Sequence, residues 1–367
     1  NLFEEIIEEN IPSLATDIDI HIQEAQRTPG KFITKRSLPR HILIRLFKLK
    51  TKERILRAVR QKHQVTYKGK PIRLTADYVK KTNSDAIVDS VSVDGAVYGV
   101  PFTTNTWFMY YDKSKFTDSD VKSLDKMLEK NKVAFNITEG WYMSSFFLAN
   151  GCTYFGKDGK DNSAGVDISG DKGTQATQAM VSLVNNPNFV NDLQGVGIAG
   201  LRDGSVGAYF SGSWDYKSVK EILGDNFGAV SLPTVKIGGK DKQMLAFAGS
   251  KAIAVNPNCK YQQVAVALAK YLGSKDAQKK HYELRGVIPC NTELLATDEV
   301  KKDALVTAQN DTFNKTSVIQ PTVTGMNDYW APAQNFAKAI VNGEITADNA
   351  AAKTQDFYKQ INTSIAK

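Results

Sequence analysis

The segments GAVYGVPF (residues 95–102) and TWFMYY (residues 106–111) decide the fold class of this chain. Both are short, rich in β-branched and aromatic residues, and next to turn-forming Gly or Asn, which is the pattern of consecutive strands. The segments GAYFSGSW (207–214) and AFAGSKAIAV (246–255) predict two more strands. Helical spacing of apolar residues predicts helices over residues 119–130, 215–223, 264–272, 276–284, 335–340 and 347–365. This alternation of strands and helices predicts an α/β architecture with mixed sheets.

Charge and composition divide the chain near residues 77 and 78. Residues 1–77 contain 16 Lys and Arg against 9 Asp and Glu, whereas the remaining residues contain 31 against 30. All 16 of these basic residues fall within residues 27–73, together with a single acid, Glu53. Only two of the 26 glycines and none of the four tryptophans precede residue 78. The net charge of +8 therefore belongs to one short segment, and two unlike pieces of sequence meet at its end.

The basic segment has the element order helix–strand–strand–helix–strand. Helical periodicity predicts a helix over residues 2–11, ended by Pro12, and another over residues 52–62, with Thr51 as its N-cap. Alternating or apolar runs predict strands at 17–22 and 41–47 and a short strand pair within 65–74. This is the order of an RNA-recognition motif without its first strand, so residues 1–77 are predicted to form an incomplete α+β unit.

Several long strings of this segment resemble the first-open-reading-frame protein of the mammalian LINE retrotransposon. They are NLFEEII (1–7), IQEAQRTPGK (22–31), PRHI (39–42), KERILRAVRQK (52–62) and KGKPIRLTAD (68–77). The resemblance implies single-stranded RNA binding through residues 27–73, in a family that works in cytoplasmic ribonucleoprotein. The phosphate contacts that it implies are Arg27, Lys35, Arg36, Arg40 and Arg45.

The tryptophans after residue 78 suggest a carbohydrate site. Trp141, Trp214 and Trp330 each lie beside acidic or polar residues and beside Gly or Pro. A sugar binder needs flat aromatic rings for the apolar face of the sugar and carboxylates or amides for its hydroxyls. The alternative is that each of the four tryptophans, including Trp107, belongs to the core.

No sequence signal indicates catalysis, a metal or a cofactor. The chain has no GxSxG, HExxH, P-loop or dinucleotide fingerprint. A glycosidase needs two carboxylates at one cleft, and only Glu139 is a candidate. The three cysteines, Cys152, Cys259 and Cys290, are too scattered for a disulfide framework or a zinc site and are predicted to be small buried thiols. The chain is therefore predicted not to be an enzyme.

Longer strings after residue 78 resemble the maltose- and maltodextrin-binding proteins of bacterial ABC importers. They are VYGVPFTTNTWFMYYDKS (97–114), GSVGAYFSGSW (204–214), FAGSKAIAVN (247–256), SKDAQ (274–278) and RGVIP (285–289). By position, Glu139 resembles the carboxylate that binds glucose hydroxyls, and Trp141 resembles the neighbouring stacking aromatic. Trp214 and Trp330 match two further aromatic platforms, and Asn105 lies where the family often has an acidic residue near its cleft.

This resemblance implies a two-lobe, type II periplasmic-binding-protein fold that closes on its ligand like a hinged clamp. Residues 78–112 and 247–293 would form the remainder of the first lobe and the hinge. Residues 113–246 and 294–367 would form the second lobe. The RRM-like segment, residues 1–77, stands in place of the start of the first lobe, and we expect no continuous strand pairing between it and residues 247–255.

The predicted function is non-catalytic binding of maltodextrin-type oligosaccharides, with the permease membrane subunits of an ABC importer as protein partners. The implied location is extracellular, as a membrane-anchored lipoprotein, although no signal peptide is visible in the sequence. The alternative is single-stranded RNA binding by residues 1–77, with the sugar-binding body as a carrier.

Overall fold

The computed structural model describes residues 2–12, 22–28, 41–46, 55, 65–67, 70–72, 82–93 and 96–365. The chain divides into two compact units, Asn1–Tyr78 and Val79–Lys367. Within the described residues no helix combines the length and the apolar character that a membrane crossing requires.

The first unit opens with the predicted amphipathic helix, α1 (Leu2–Asn10), which buries Ile6 and Ile7. Its described strands pair with each other in two antiparallel pairs. They are β1 (Ile22–Thr28), β2 (His41–Leu46), β3 (Val65–Tyr67) and β4 (Lys70–Ile72). Apart from Ile22, which begins β1, the strand predicted over 17–22 lies outside the described residues. Apart from Ile55, the helix predicted over 52–62 lies outside the described residues.

The second unit contains thirteen helices among its described residues. They are α2 (Asp85–Asp89), α3 (Leu124–Lys130), α4 (Gly140–Ala149), α5 (Gly170–Val184), α6 (Val196–Asp203), α7 (Tyr216–Leu223), α8 (Gln262–Leu272), α9 (Lys275–Arg285), α10 (Thr292–Leu295), α11 (Asp298–Lys301), α12 (Ala304–Lys315), α13 (Met326–Val341) and α14 (Ala350–Ile365).

Its described strands are β5 (Ser92–Val93), β6 (Ala96–Val97), β7 (Val100–Asn105), β8 (Phe108–Asp112), β9 (Val133–Phe135), β10 (Thr153–Tyr154), β11 (Val166–Asp167), β12 (Phe189–Asn191), β13 (Ala208–Ser211), β14 (Phe227–Val230), β15 (Thr234–Ile237), β16 (Lys240–Gln243), β17 (Ala246–Ile253) and β18 (Ser317–Ile319). The strand predicted over 95–102 is divided into β6 and β7, and β7 continues to Asn105. The strand predicted over 106–111 is β8, which ends at Asp112, and those predicted at 207–214 and 246–255 are the shorter β13 and β17.

The larger sheet is mixed, as the alternation of elements predicts. Its strand order is β12-β9-β13-β8-β14, with β9 parallel to both of its neighbours and β8 antiparallel to both of its own. Successive residues of β8 enter different cores. Met109 and Tyr111 belong to one buried cluster and Phe108 and Tyr110 to the other. The sheet is therefore covered on both faces, which explains why TWFMYY is an unbroken apolar run.

The smaller sheet has the order β18-β17-β7, and β17 changes partner along its length. Ala246–Ala248 pair in parallel with β18, whereas Gly249–Ile253 pair antiparallel with β7. The register shifts between Lys251 and Ala252, which face Thr103 and Pro101 respectively, so Phe102 is an extra residue in β7. This irregularity is a β-bulge, and bulges redirect the side chains around them.

Two predicted helices differ from the observed ones. Residues 119–130 form a 3₁₀ turn (Asp120–Lys122) and then α3, whose N-cap Ser123 accepts a hydrogen bond from the N–H of Lys126. The helix predicted over 335–340 is the end of α13, which begins at Met326 and runs through Pro332. Proline normally interrupts a helix. Here the buried Tyr329 and Phe336 hold both parts of α13 on the core, so the helix continues.

Replacing Tyr329 by phenylalanine should destabilise the second unit. The Tyr329 hydroxyl lies 2.7 Å from the Ser144 hydroxyl of α4 and 3.2 Å from the Tyr154 hydroxyl, and Tyr329 is fully buried. Loss of the Tyr329 hydroxyl removes two buried hydrogen bonds. We expect the free energy of unfolding, measured with urea, to fall by about 1–3 kcal/mol. Tyr98→Phe is the control, because Tyr98 is 66% exposed. An equal, small effect of both substitutions would contradict the prediction.

Candidate ligand-binding cleft

One cleft of about 500 Å³ in the second unit brings together residues that are far apart in the sequence. Its lining side chains are Asn105, Trp141, Trp214, Lys251, Gln320 and Trp330. Four of these are among the five residues that the sequence nominated for sugar binding. The fifth, Glu139, is exposed and is not part of the lining, although it immediately precedes the helix that carries Trp141.

Trp141 is positioned by the start of helix α4. The Glu139 carbonyl accepts the N–H of Met143 at 2.9 Å, which fixes the first turn of this helix. Gly140 allows helix α13 to come close, because a Cβ atom at Gly140 would lie 2.9 Å from the Cβ of Ala333 and 3.6 Å from the Trp330 ring. The same contact therefore holds Trp141 and Trp330 on neighbouring helices at one cleft.

Trp214 lies in a tight turn that follows strand β13. This 3₁₀ turn spans Ser213–Asp215, and the Trp214 side chain is 47% exposed. Its indole folds back over Gly212, where any Cβ atom would collide with the ring. The Tyr110 hydroxyl donates to the Gly212 carbonyl at 2.9 Å, so the buried strand β8 anchors this turn.

A carboxylate fixes the other end of the turn. Asp215 accepts hydrogen bonds from the Tyr209 hydroxyl at 2.9 Å and from the Ser211 hydroxyl at 2.5 Å. Burial raises the pKa of Tyr209 well above its ordinary value, so this hydroxyl stays protonated and remains a donor. Both hydroxyl donors to Asp215 belong to strand β13. These hydrogen bonds attach the turn to the larger sheet.

A second carboxylate, Asp192, lies buried near this network. It accepts the N–H of Gly197 at 2.7 Å, and burial raises the pKa of this carboxyl, with the nearby Asp215 acting in the same direction. Burial likewise raises the pKa of Tyr142, which keeps its hydroxyl protonated. Neither Asp192 nor Asp215 is among the lining residues, so neither acid is part of the cleft surface.

The aromatic rings of the cleft are supported by other aromatic rings. The Trp141 and Trp214 centroids lie 6.3 Å apart at an interplanar angle of 36°, and Trp141 meets Tyr142 edge-on. Trp330 packs edge-on against Phe247 and Tyr329, at 6.4 and 5.3 Å. Such pairs fix ring orientation, and a ring with one packed side and one free side is suited to stacking.

Trp107 differs from the other three tryptophans because it is fully buried. It packs against Phe135, Tyr142 and Phe210 at 5.5, 5.0 and 5.9 Å. Trp107 is therefore a core residue, which is the alternative that the sequence left open for each tryptophan.

The two lining residues that the sequence did not nominate come from the small sheet. Gln320 follows β18, and its N–H donates to the Ala248 carbonyl at 2.8 Å. Lys251 lies in β17 with its ammonium 5.3 Å from the centre of the Trp214 ring. Lys251 occurs within the string FAGSKAIAVN (247–256), but the family resemblance gives it no binding role. No sequence pattern indicates that Gln320 lies at a binding site.

The basic residues nominated for RNA binding fall only partly within the described chain. In the register of β1 and β2, Arg27 faces Ile42 and Arg45 faces Glu24. Lys35, Arg36 and Arg40 lie outside the described residues.

The described residues contain no cluster of three or more His, Cys, Asp or Glu side chains able to hold a metal ion. Burial raises the pKa of the Cys152 and Cys290 thiols to about 12. Both thiols therefore stay protonated at neutral pH, and a thiol in that state is a weak nucleophile and a poor ligand.

Comparison with known proteins identifies the family. Residues 56–308 match the family of bacterial extracellular solute-binding proteins, and this match covers more than half of the chain. The chain therefore belongs to that family. Separately, residues 1–77 match the RBD-like domain of the L1 transposable element. Both resemblances seen in the sequence are thus confirmed.

Individual relatives agree with this assignment. A structure solved with acarbose is 53% identical, with a TM-score of 0.76 over 80% of this chain and 78% of that one. The ligand-free maltodextrin-binding protein MalE1 from L. casei BL23 is 29% identical, with a TM-score of 0.72 over 79% of each chain. These likenesses confirm the predicted two-lobe solute-binding fold class.

Two curated relatives correspond to the two parts of the chain. The maltooligosaccharide ABC transporter solute-binding lipoprotein of Streptococcus pneumoniae R6 is 27% identical over 287 residues, which are 73% of this chain and 66% of that protein. The LINE-1 retrotransposable element ORF1 protein of Mus musculus is 51% identical over 82 residues, which are 22% of this chain and 23% of that protein. The chain thus spans about two thirds of the first relative and about a quarter of the second.

Replacing Gly212 by alanine should displace the Trp214 ring. The new methyl group would overlap the indole, whose easiest response is to swing away from the backbone into solvent. We expect stronger acrylamide quenching of tryptophan fluorescence than in the unsubstituted protein. Gly249→Ala is the matched control, because a Cβ atom at Gly249 meets only the Ser90 Cβ, at 3.7 Å. Unchanged quenching in the Gly212 variant, or an equal rise in both, would show that the ring is not held there.

Proposed function

We propose that this chain binds maltooligosaccharides without chemical conversion, as the substrate-binding component of an ABC importer. The observation that carries the proposal is the convergence of three partly exposed tryptophans with two amide side chains on one cleft. A glucose ring has an apolar face that stacks on an indole, and its hydroxyls need amide or carboxylate partners. The 53% identical structure with acarbose and the maltooligosaccharide-binding lipoprotein of S. pneumoniae support this ligand class.

We assign Trp141, Trp214 and Trp330 as stacking platforms and Asn105 as a hydrogen-bonding partner for sugar hydroxyls. Gln320 joins Asn105 because its amide lines the same cleft. The assignment of Glu139 as a hydroxyl-binding carboxylate is supported by its exposure and by its place two residues before Trp141.

The composition of the cleft favours binding over hydrolysis. A glycosidase needs a pair of carboxyl groups about 5–9.5 Å apart on either side of the bond that it cleaves. The six lining side chains include no carboxylate, and Asp215 is occupied by Tyr209 and Ser211. A non-catalytic receptor is therefore the function that this site supports best.

The proposed receptor closes by a movement of two lobes within the second unit. We propose residues 78–112 and 247–293 for one lobe and residues 113–246 and 294–367 for the other. The change of partner strand along β17, at Ala248 and Gly249, supports a hinge at that point. The proposed partners are the membrane subunits of an ABC permease, and the proposed location is extracellular, as a lipoprotein like the S. pneumoniae relative.

The central test is calorimetric titration with maltotriose, supported by tryptophan fluorescence. Trp214→Ala should weaken binding about tenfold or more, because aromatic anchors at the centre of a site dominate binding free energy. Tyr261→Ala is the control, because this aromatic side chain is 64% exposed and lies outside the cleft lining. If maltotriose at millimolar concentration produces neither heat nor a fluorescence change in the unsubstituted protein, the proposal fails.

A second candidate function is single-stranded RNA binding by residues 1–77. The match to the RBD-like domain and the 16 basic residues within 27–73 favour it. Lysine and arginine contacts to phosphates release counterions, which makes such binding steeply dependent on salt. The lining residues of the sugar cleft run from Asn105 to Trp330. None of them belongs to residues 1–77, so RNA binding would be independent of the sugar cleft.

Charge reversal tests this second function. The double variant Lys35→Glu with Arg36→Glu should lower affinity for single-stranded RNA at least tenfold at low salt. It should also reduce the slope of log K against log salt by about 1.4, or 0.7 for each lost phosphate contact. The control, Lys126→Glu with Lys301→Glu, changes the net charge equally at exposed positions of the second unit. Equal losses in both double variants would indicate a net-charge effect and contradict a defined RNA site.

A further inference from the structure

Lys251 gives the cleft a charge that the proposed neutral ligand does not need. It is the one charged side chain among the six lining residues, the others being three tryptophans and two amides. Within the described part of the chain, no ion pair involves Lys251, in contrast with Lys172 and Lys130, which pair with Asp167 and Asp120. The lining therefore carries a formal charge of +1, and no described residue provides a counterion in contact with it.

The backbone of the small sheet aims this side chain at the cleft. Strict alternation along β17 would turn consecutive residues to opposite faces. The bulge at Phe102 lies in the neighbouring strand β7 and is met on β17 by Lys251 and Ala252, which are both exposed. The preceding Ser250 is fixed by a 2.9 Å contact between its hydroxyl and that of Ser90. The position of Lys251 is thus set by the sheet.

The ammonium group of Lys251 lies over the aromatic platform. Its Nζ atom is 5.3 Å from the centre of the Trp214 ring, within the range of a cation–π interaction. A sugar ring that stacks on the same indole face must displace this ammonium. The displaced cation then remains beside the six described lining residues, which are tryptophans and amides apart from Lys251 itself and include no carboxylate.

We propose that Lys251 sets the ligand class of the cleft and favours maltooligosaccharides that carry a carboxylate over neutral ones. This inference rests on the proposed function. A neutral sugar that stacks on Trp214 removes the cation–π contact of the Lys251 ammonium and offers it no opposite charge. An acidic sugar removes the same contact but provides a carboxylate for a charge-assisted hydrogen bond. An exposed cation–π contact and an exposed ion pair each contribute about two- to fivefold in affinity. The acid should therefore bind several times more tightly than the neutral sugar.

The test compares three ligands by calorimetry at low salt. They are maltotriose, its aldonic acid maltotrionate, and maltotriose with the non-reducing glucose oxidised to glucuronate. At least one acid should bind about two- to fivefold more tightly than maltotriose, which is the contribution of the added ion pair, and the acid that gains identifies the sugar end near Trp214. The preference should shrink in 0.5 M salt, because partly exposed charges are screened.

Substitution then assigns the preference to Lys251. Lys251→Met should abolish it and bind maltotriose about two- to fivefold more tightly, since the indole face is free, whereas Lys251→Arg should keep it. Lys260→Met is the matched control, because Lys260 lies 5.4 Å from the ring of Tyr261, outside the cleft. An unchanged ratio of affinities in Lys251→Met, or no preference in the unsubstituted protein that binds maltotriose, overturns this inference alone. Binding of none of the three ligands overturns the proposed function with it.

Discussion

The buried strand β8 is the constraint on which the rest of the second unit depends. Its residues alternate between two cores, so helices must cover both faces of the sheet, and the strand cannot slip by one residue without exchanging those cores. The Tyr110 hydroxyl on one face also holds the Gly212 carbonyl, which connects the core directly to the turn that presents Trp214. The position of Trp214 in the cleft lining is therefore a consequence of the strand register.

Two of the three cleft tryptophans are core side chains that are left partly uncovered. Trp141 and Trp330 pack against the same large cluster that contains the fully buried Trp107. They differ from Trp107 in lying on helices α4 and α13, where Gly140 lets the two helices approach and leaves one side of each ring at the surface. The proposed stacking role depends on such rigid support, because a ring that moved freely would lose conformational entropy when a ligand bound.

The sequence predicts several central strands of this unit and most of helix α14 but only the end of helix α13, and it predicts the aromatic residues of the cleft lining better than the polar ones. Strands are recognisable because β8, β13 and β17 are compact apolar runs bounded by turn residues. Helix α13 is only partly predicted because Pro332 signals an interruption, and the burial of Tyr329 and Phe336 that overrides it is a tertiary effect. Lys251 and Gln320 are common surface residue types, and only the bulge in β7 and the end of β18 bring them to the cleft. Their recruitment depends on the sheet register, which no local sequence pattern encodes.

The charge distribution separates the two candidate activities of the chain. The excess of basic residues lies within residues 27–73, whereas the residues after 77 carry 31 basic and 30 acidic side chains. A body so close to neutrality exerts little long-range attraction on a charged ligand, and beyond about 10 Å even that is screened at ordinary ionic strength. Selection by charge in the cleft must then come from a group in contact with the ligand. Among the lining residues Lys251 is that group, and its place beside Trp214 couples charge recognition to ring stacking.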